Sequence, residues 1–340
     1  MTDVAKAAGV SQSTVSMVLN NNTSARLSAT TRQRVLREAR KLGYALPQRQ
    51  GARAEPETAA RRNVIAYLVD EISTSPHPVV NIDGAVAAAR DRDLIVQVSV
   101  THGDAALEKE LIAAHLAHPQ LLGFVYSAIF TRAVQVPEAL LAWPTVLLNC
   151  HDDRHRLPTV VPGELAGGHT ATEHLIRQGH QRIAFINGEP WMEAAKDRLK
   201  GYRRALATAD LPFDPELVRD GDWMSGTGYE ATLSLMALPR PPSAIFCAND
   251  LMAIGALEAV RSLGLAVPQD VSVMGYDDQE ISRHTHPPLT TVVLPNFEMG
   301  HCAVETLLEE VQARASQGEG ARPLLKIECP LVQRQSVAGV

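Results

Sequence analysis

The chain has 340 residues, of which 45% are hydrophobic and 4% aromatic, and its formal net charge at pH 7 is −6. One hydrophobic core stops growing near ~250–300 residues, so this length predicts two or three domains. The first ten residues do not resemble a signal peptide and no apolar run approaches the ~18 residues of a membrane span, which argues against a secreted or membrane-spanning protein.

The charge is divided unevenly along the chain. Residues 1–62 carry eleven Lys and Arg against four Asp and Glu, a net +7, so the remainder carries −13. A basic segment gains from counterion release when it neutralises phosphates, which predicts a phosphate-binding head on an acidic body. A merely solvated basic face is the alternative. The cysteines lie far apart without metal or redox spacing, and we expect reduced thiols of a cytoplasmic protein: Cys150, Cys247, Cys302 and Cys329.

Two short helices are predicted at the start of the chain. Thr2 and Asp3 are placed to cap the first, which Gly9 ends, and Ser11 caps the second. In the second helix the apolar spacing turns Val15, Val18 and Leu19 towards a core and leaves these polar residues outside: Gln12, Ser13, Ser16 and Asn20. Exposed amides and hydroxyls can read base edges in the major groove, whereas a structural helix would more naturally expose Glu and Lys. This layout predicts a helix-turn-helix.

A third helix is predicted to start after Ser28 and to stop at Gly43. Its apolar stripe consists of Val35, Ala39 and Leu42, and its other face carries Arg34, Arg37 and Lys41. We expect the three helices to form a compact bundle.

The head resembles the DNA-binding domain of the lactose-repressor (LacI/GalR) family, through the runs DVAKAAGVSQSTVSMVLNNN and ARLSATTRQRVLREARKLGY. The resemblance implies that Gln12 and Ser13 read bases and that further residues contact DNA, namely Thr2, Thr14, Ser16, Asn20, Tyr44 and Arg53. Met17 stands where the family usually has Arg, so one base or phosphate contact is expected to be missing.

Residues 46–62 are predicted to be a hinge, because they contain two prolines and a glycine and end in paired arginines. Ala52-Arg53 resembles a motif of the family in which a leucine enters the minor groove, but Glu55 stands where that leucine should follow. A carboxylate is repelled by phosphates, so we do not expect the leucine-lever mechanism. Whether the hinge folds as a helix on DNA stays open.

The body is predicted to be α/β. Apolar runs rich in β-formers alternate with helical stretches roughly 25–35 residues apart, which indicates βαβ units and parallel sheets. We expect two doubly wound lobes with a break near Thr159–Gly163. The predicted strands are 64–70, 94–100, 121–128, 144–150, 182–188, 244–250 and 272–278.

Polar residues follow these strands, where ligands of such sheets bind. With Trp223 they predict a crevice suited to a polyhydroxylated ligand, and they are Asp70, Glu71, Asn149, Asn187, Asn249, Asp250, Tyr276 and Asp277. Residues 167–188 and 247–295 resemble the periplasmic-binding-protein-like core of the same family. By resemblance, the effector contacts are Asn149, Arg198, Trp223, Asn249 and Asp277. Asn149 replaces an acid often found there, and Ala194 lacks the hydroxyl of some sugar-binding members.

The expected fold is thus an N-terminal all-α helix-turn-helix bundle plus a two-lobed periplasmic-binding-protein-like body. The expected domains are 1–45 (DNA binding), 46–62 (hinge) and 63–340 (effector binding and dimerisation). The N-lobe comprises about 63–161 and 292–322, and the C-lobe about 162–291 and 323–340. The tail after Cys329 has no leucine heptads, which favours a dimer over a coiled-coil tetramer.

Plainer roles are open for several of these residues. Asn249 and Asp277 would cap helices, Trp223 would be core, and Arg198 would form a surface ion pair. The cluster His151-Asp152-Asp153-Arg154-His155 and the pair His115 and His118 invite a metal site, but neither has a third ligand at an obvious spacing. We expect no metal and no cofactor.

The functional hypothesis is a cytoplasmic homodimeric repressor, not an enzyme. It would bind a pseudo-palindromic double-stranded DNA operator under the control of a small molecule, most simply a sugar. The alternatives are a periplasmic-type sugar receptor, which would need an export signal and no basic head, and a metal-dependent enzyme using the His/Asp loops. No Ser nucleophile elbow, P-loop or GxGxxG motif is present in the sequence.

Overall fold

A computed structural model of the chain describes residues 2–19, 28–42, 62–316 and 322–340. The chain divides into two compact units, Met1–Ala60 and Arg61–Val340, which we call the head and the body. The hinge predicted over 46–62 lies outside the described residues except for Arg62.

In its described part the head consists of helices α1 (Thr2–Ala8), α2 (Gln12–Leu19) and α3 (Ala29–Lys41). Gly9 has a φ of 59°, a conformation that costs glycine little, and it ends α1 as predicted. Ser11 Oγ accepts a hydrogen bond from the Thr14 amide at 3.2 Å, and Ser28 Oγ accepts one from the Thr31 amide at 3.1 Å. Both predicted N-caps are therefore confirmed.

The three helices share one small core. Val4 and Ala8 of α1 pack with Val15 and Val18 of α2 and with Val35 and Ala39 of α3. The prediction that Leu42 extends the stripe of α3 is wrong, since its side chain is 49% exposed. The helix ends at Lys41, so Leu42 is not held in the row formed by Val35 and Ala39. Arg34, Arg37 and Lys41 are exposed, as predicted.

The first lobe of the body is built on a parallel sheet. Its order in the described chain is β11-β5-β4-β3-β1-β2. The strands are β1 (Val64–Val69), β2 (Ile95–Val100), β3 (Leu121–Ser127), β4 (Thr145–Leu148), β5 (Thr159–Pro162) and β11 (Leu324–Ile327), and the helices are α4 (His77–Asp91), α5 (Ala105–Leu116), α6 (Glu138–Leu141) and α11 (Asn296–Ala315).

Helices cover both faces of this sheet. Ile65 and Tyr67 of β1 pack with α4 and α11, whereas Ala66 and Leu68 pack on the other face with Ile112 of α5 and neighbouring residues. A strand buried on both faces needs apolar residues at every position, which explains the continuous run VIAYLV.

The second lobe contains another parallel sheet, with order β7-β6-β8-β9 among the described residues. A separate short antiparallel pair in the described chain consists of β10 and β12. The strands are β6 (Ile183–Asn187), β7 (Val218–Asp220), β8 (Ala244–Cys247), β9 (Ser272–Met274), β10 (Thr291–Val292) and β12 (Leu331–Val332), and the helices are α7 (Glu164–Arg177), α8 (Glu193–Thr208), α9 (Ser225–Met236) and α10 (Asp250–Ser262).

The predicted fold class is confirmed, and each of the seven predicted strands contains an observed one. The strands that the sequence reading missed have two to four residues each: β5, β7, β10, β11 and β12. One of them moves a predicted boundary. The sequence reading assigned residues from 323 onward to the second lobe, but Leu324–Ile327 pairs in register with Thr159–Pro162 of the first sheet. A strand this short carries too little alternation to be recognised in a sequence.

Candidate functional site

A cavity of about 350 Å³ lies in the body, between loops that follow the strands of both sheets. The first lobe contributes Thr74–His77, Ile129–Thr131 and Asn149, and the second contributes residues 222–224 and residues that follow β8 and β9. The cavity brings together the residues that the sequence reading named as effector contacts, which are Asn149, Arg198, Trp223, Asn249 and Asp277.

The two asparagines are held by hydrogen bonds within the protein. Asn149 follows β4 with a φ of 55°, its Nδ2 donates to the Ala128 carbonyl at 3.1 Å, and its Oδ1 accepts from Thr131 Oγ1 at 2.6 Å. Asn249 Oδ1 accepts from the Met252 amide at 2.9 Å, so it caps α10, and its Nδ2 donates to the Trp223 carbonyl at 2.9 Å. The capping role considered for Asn249 is therefore real and compatible with its place in the cavity wall.

Arg198 lies on α8 and is 3% exposed, so it is not part of a surface ion pair. Its Nε and Nη2 donate to the two carboxylate oxygens of Glu164 at 2.7 and 2.8 Å. Its Nη1 donates to the Ala248 carbonyl and lies 3.5 Å from Asp277 Oδ1. Burial opposes the charge of this guanidinium, but the Glu164 carboxylate outweighs burial and raises the pKa of Arg198 further above its ordinary value.

Asp277 follows β9 and faces both lobes. Its Oδ2 accepts from Gln279 Nε2 at 3.3 Å and lies 3.6 Å from His77 Nε2, which begins α4 of the first lobe. The short helix Glu280–Arg283 has Gln279 as its N-cap, so Asp277 does not cap it. Asp277 is thus a buried carboxylate that joins the Arg198 side of the cavity to the first lobe.

Trp223 forms an apolar wall of the cavity. It is half-buried, its φ is 70°, and its Nε1 donates to Met192 Sδ at 3.0 Å. The ring lies directly against Gly188, where a Cβ would come within 2.0 Å of the indole. Trp223 packs against the core of the second lobe and also lines the cavity. The alternative interpretation of Trp223 as an ordinary core residue therefore accounts for only part of its contacts.

Other polar strand ends that were predicted to line the crevice do not line it: Asp70, Glu71, Asn187, Asp250 and Tyr276. Their side chains support neighbouring loops or are enclosed by the core. Asp70 accepts from the Ile129 amide and pairs with Arg132 at 2.6 Å, and Asp250 accepts from the Gln279 amide and from Thr291 Oγ1. Burial, followed by the charge of Asp277, raises the pKa of Asp250.

The sequence reading missed several lining residues, among them His77, Phe130, Glu164 and Gln279. Phe130, His77 and Gln279 lie in loops or at element ends without a distinctive pattern. Glu164 carried a signal, because it is an acid in the first turn of a helix within the glycine-rich run GELAGG. Helix α7 begins within that run, directly after β5.

The histidine clusters have local partners. His151 Nε2 lies 3.0 Å from both carboxylate oxygens of Glu193, and His115 Nε2 lies 2.9 Å from Ser99 Oγ. In the described part of the chain, no group of three or more His, Cys, Asp or Glu could hold a metal ion.

Comparison with known proteins decides the family. Residues 1–46 match the profile described as bacterial regulatory proteins, lacI family, and residues 172–337 match a periplasmic binding protein-like domain. The HTH-type transcriptional repressor CytR of Escherichia coli (strain K12) is 33% identical, over 99% of this chain and 95% of its own length. The chain belongs to the LacI family. The expected family is therefore confirmed, and the LacI-family protein described here is a DNA-binding transcriptional regulator.

Solved structures agree with this assignment. The transcriptional regulator CelR in complex with cellobiose is 30% identical to this LacI-family chain, with a TM-score of 0.65 and coverage of 98% of both chains. A lac repressor dimer bound to operator and the anti-inducer ONPF is 27% identical, with a TM-score of 0.66, covering 99% of this chain and 98% of that one.

The DNA contacts implied by family resemblance are only partly described. Gln12 begins α2 and is exposed, and Thr14 is half-buried with its Oγ1 2.8 Å from Ser11 Oγ. Thr2, Ser13 and Ser16 lie on α1 and α2, but their side chains are outside the description, as is that of Met17. Asn20, Tyr44, Arg53 and Glu55 lie outside the described residues.

In the part of the chain that the structure describes, no helix of this LacI-family protein combines the length and the apolar character that a membrane span needs.

Proposed function

We propose that the protein is a homodimeric repressor whose operator affinity is set by an uncharged, polyhydroxylated effector, most simply a sugar, bound in the cavity between the lobes. One observation carries this proposal: five residues separated by up to 128 positions in sequence line one cavity of about 350 Å³. That volume suits a small molecule, since ligand sites in proteins are typically ~300–1,000 Å³.

The chemistry of the walls supports a sugar. Trp223, Phe130 and Met192 give apolar faces on which a sugar ring can stack, and Asp277 offers carboxylate oxygens to hydroxyl donors. The family relative CelR has been solved with cellobiose. Asn149 and Asn249 already donate to backbone carbonyls, so they would shape the cavity and offer their remaining lone pairs and N–H groups.

The effector would act by coupling the two lobes. His77 of the first lobe and Asp277 of the second are 3.6 Å apart across the cavity, so a ligand that contacts both sides favours one relative orientation of the lobes. The orientation would be passed through residues 46–62 to the heads. Coupling is reciprocal, so operator binding would change effector affinity by the same factor, typically ~5–150-fold.

The head would read DNA through α2. Gln12 is exposed, and by family position it would contact bases together with Ser13, while further contacts would come from Thr2, Thr14, Ser16, Asn20, Tyr44 and Arg53. Amide side chains can bond an adenine edge with two hydrogen bonds, whereas hydroxyls are less selective. As a regulator without enzymatic activity, the protein would act in the cytoplasm, where its operator lies.

A second copy of the chain would cover an apolar strip on the first lobe. Val79, Val80 and Val86 of α4 and Ile95 and Val98 of β2 are all 39–46% exposed. In the described sheet β2 has a neighbour on one side only, so its other edge is free to meet a partner. The lac repressor relative has been solved as a dimer on operator, which supports the same assembly here.

A thermal-shift screen against neutral sugars and nucleobases tests the effector assignment. A specific ligand stabilises the folded state by ~2.7 kcal/mol at a hundredfold excess over its dissociation constant, which is measurable as a rise in Tm. Asp277→Asn should abolish the rise, and Asn is chosen because Asp277 has a φ of 106°, where Ala is strained. Glu230→Ala, an exposed change on α9, is the matched control. A shift that survives in Asp277→Asn would refute the assignment.

The ligand found in that screen then enters an operator titration. A palindromic operator selected from random duplexes should bind the wild type with an affinity that changes on adding the ligand, and Gln12→Ala should lose ~1–3 kcal/mol of discrimination at one base pair. Absence of any preference over random competitor DNA, with and without ligand, would overturn the regulator's proposed mechanism.

A further inference from the structure

Arg198 is a buried guanidinium in the cavity wall, a kind of group that ordinarily binds carboxylates and phosphates. Its planar fork is already filled by the protein itself. Nε donates to Glu164 Oε2 at 2.7 Å and Nη2 donates to Glu164 Oε1 at 2.8 Å, which is the two-bond arrangement that an anionic ligand would make.

The other sides of the guanidinium are also occupied. Nη1 donates to the Ala248 carbonyl and faces Asp277 Oδ1 at 3.5 Å, and the centroid of the Tyr276 ring lies 3.7 Å from the guanidinium carbon. A guanidinium has five N–H donors, and these contacts account for all but one, on Nη2. Arg198 therefore has little left to offer an anion.

The charge of the cavity points the same way. Among the described residues that line it, Glu164, Asp222 and Asp277 are acidic, whereas Arg198 is the single arginine or lysine. Even if His77 carried a proton, the three carboxylates would exceed the two positive charges. In a partly enclosed site of low dielectric, an anionic ligand would meet net repulsion from Asp222 and Asp277.

Close helix packing fixes Glu164 in this position. Gly168 of α7 lies against the Arg198 backbone, where a Cβ would meet its carbonyl oxygen at 2.6 Å, and Gly201 of α8 lies against the Leu165 carbonyl, where a Cβ would come within 2.3 Å. The two helices therefore approach at backbone distance next to the ion pair. The pair is buried at both ends, so Glu164 cannot turn into solvent without leaving a buried charge unpaired.

We propose that Glu164 is a specificity-determining residue: an internal anion that occupies the anion-binding position on Arg198, so that the cavity accepts uncharged or cationic effectors and rejects anionic ones such as sugar acids and sugar phosphates. The part of this proposal that concerns which effectors bind rests on the proposed function. The claim about Arg198 itself does not need the natural effector to be known.

The first test uses formate, whose carboxylate has the geometry of Glu164. Tm is measured against formate concentration at constant ionic strength maintained with sodium chloride, which removes general screening. Glu164→Ala vacates the position, so formate should raise its Tm and should not raise that of the wild type. Asp222→Ala removes a carboxylate from the same cavity without touching Arg198, and it should not respond to formate.

The second test measures specificity. Each neutral sugar in the panel is paired with its uronic acid, and dissociation constants are compared for wild type, Glu164→Ala and the isosteric Glu164→Gln. The wild type should prefer the neutral member, and both variants should shift the ratio towards the uronic acid by about 10–100-fold, the value of one charge-assisted hydrogen bond.

The outcomes separate the two proposals. A folded Glu164→Ala without a formate response overturns the internal-anion proposal, even if neutral sugars bind the wild type. A formate response in Glu164→Ala supports it even if no sugar binds, in which case the sugar assignment fails alone. If Glu164→Ala does not fold, the ratio in Glu164→Gln decides. If neither variant folds, the wild-type pairs decide, and any uronic acid that binds more tightly than its parent sugar overturns the proposal.

Discussion

Gly188→Ala should detach Trp223 from its place in the cavity wall while leaving the fold intact. The new Cβ would lie 2.0 Å from Cζ2 and 2.2 Å from Cη2 of the indole. Ordinary carbon contacts lie near ~3.5 Å, so the ring must move by roughly 1.5 Å. Gly188 does not have a positive φ, so its backbone accepts alanine without strain.

The cost should appear mainly in ligand binding. The indole borders an open cavity and can move into it, so we expect an overpacking cost near the low end of ~1–3 kcal/mol. A ligand stacked on Trp223 would lose about half of the ring's contact, on the order of 100 Å² of apolar area, or ~2.5 kcal/mol at about 25 cal/mol per Å². Effector affinity should therefore fall by roughly 60-fold.

Isothermal titration with the ligand found in the thermal-shift screen measures this loss, and operator binding without ligand should be unchanged. Gly226→Ala is the control, because Gly226 lies in the first turn of α9 near Trp223 and a Cβ there meets nothing within 4 Å. It should keep wild-type affinity and gain up to ~1 kcal/mol of helix stability. If Gly188→Ala binds ligand as tightly as Gly226→Ala, Trp223 is not part of the binding surface.

Three further predictions concern the head, the body and the dimer. Ser11→Ala removes the side-chain acceptor of the Thr14 amide and should destabilise the head by ~1 kcal/mol. The urea concentration at the midpoint of unfolding of the head should fall, and an unchanged midpoint would contradict the capping role of Ser11. Burial lowers the pKa of His180 below its ordinary value of about 6.5, so the unfolded state takes up the proton at a higher pH than the folded state. The free energy of unfolding should therefore fall as the pH drops from about 6.5 through the folded-state pKa. His180→Gln should flatten that slope, and equal slopes in urea titrations across this range would contradict the reasoning. Val98→Asp places a charge on the apolar strip of α4 and β2, so light scattering should show monomers and operator binding should be weaker. A variant that remains a stable dimer would show that this strip is not the dimer interface.

The head was largely predictable because its signals are local. A serine before a helix, a glycine after one, and valines three and four residues apart act within a few positions of themselves. Ser11, Gly9 and Val15 therefore have the predicted roles. Leu42 was misplaced because a helix end shifts easily by one or two residues, and the last apolar position of a stripe depends on where the helix stops.

The strands of the body were predictable where they are long and buried on both faces. The strands β5 and β11 have only four residues each, and β11 pairs with β5 across more than 160 positions of sequence, so pairing rather than composition makes them strands. That pairing alone places Leu324–Ile327 in the first sheet and not in the second lobe, where they were predicted.

The family resemblance predicted the five cavity residues and the class of protein, because each of those positions can be matched to the family's pattern along the sequence. What surrounds them was decided by tertiary structure. Nothing near Arg198 in sequence indicates that its partner is Glu164, 34 positions earlier, or that Asp277 meets His77 from the other lobe. Charge pairing and burial depend on which helices pack together in space, and a sequence read in one dimension does not contain those distances.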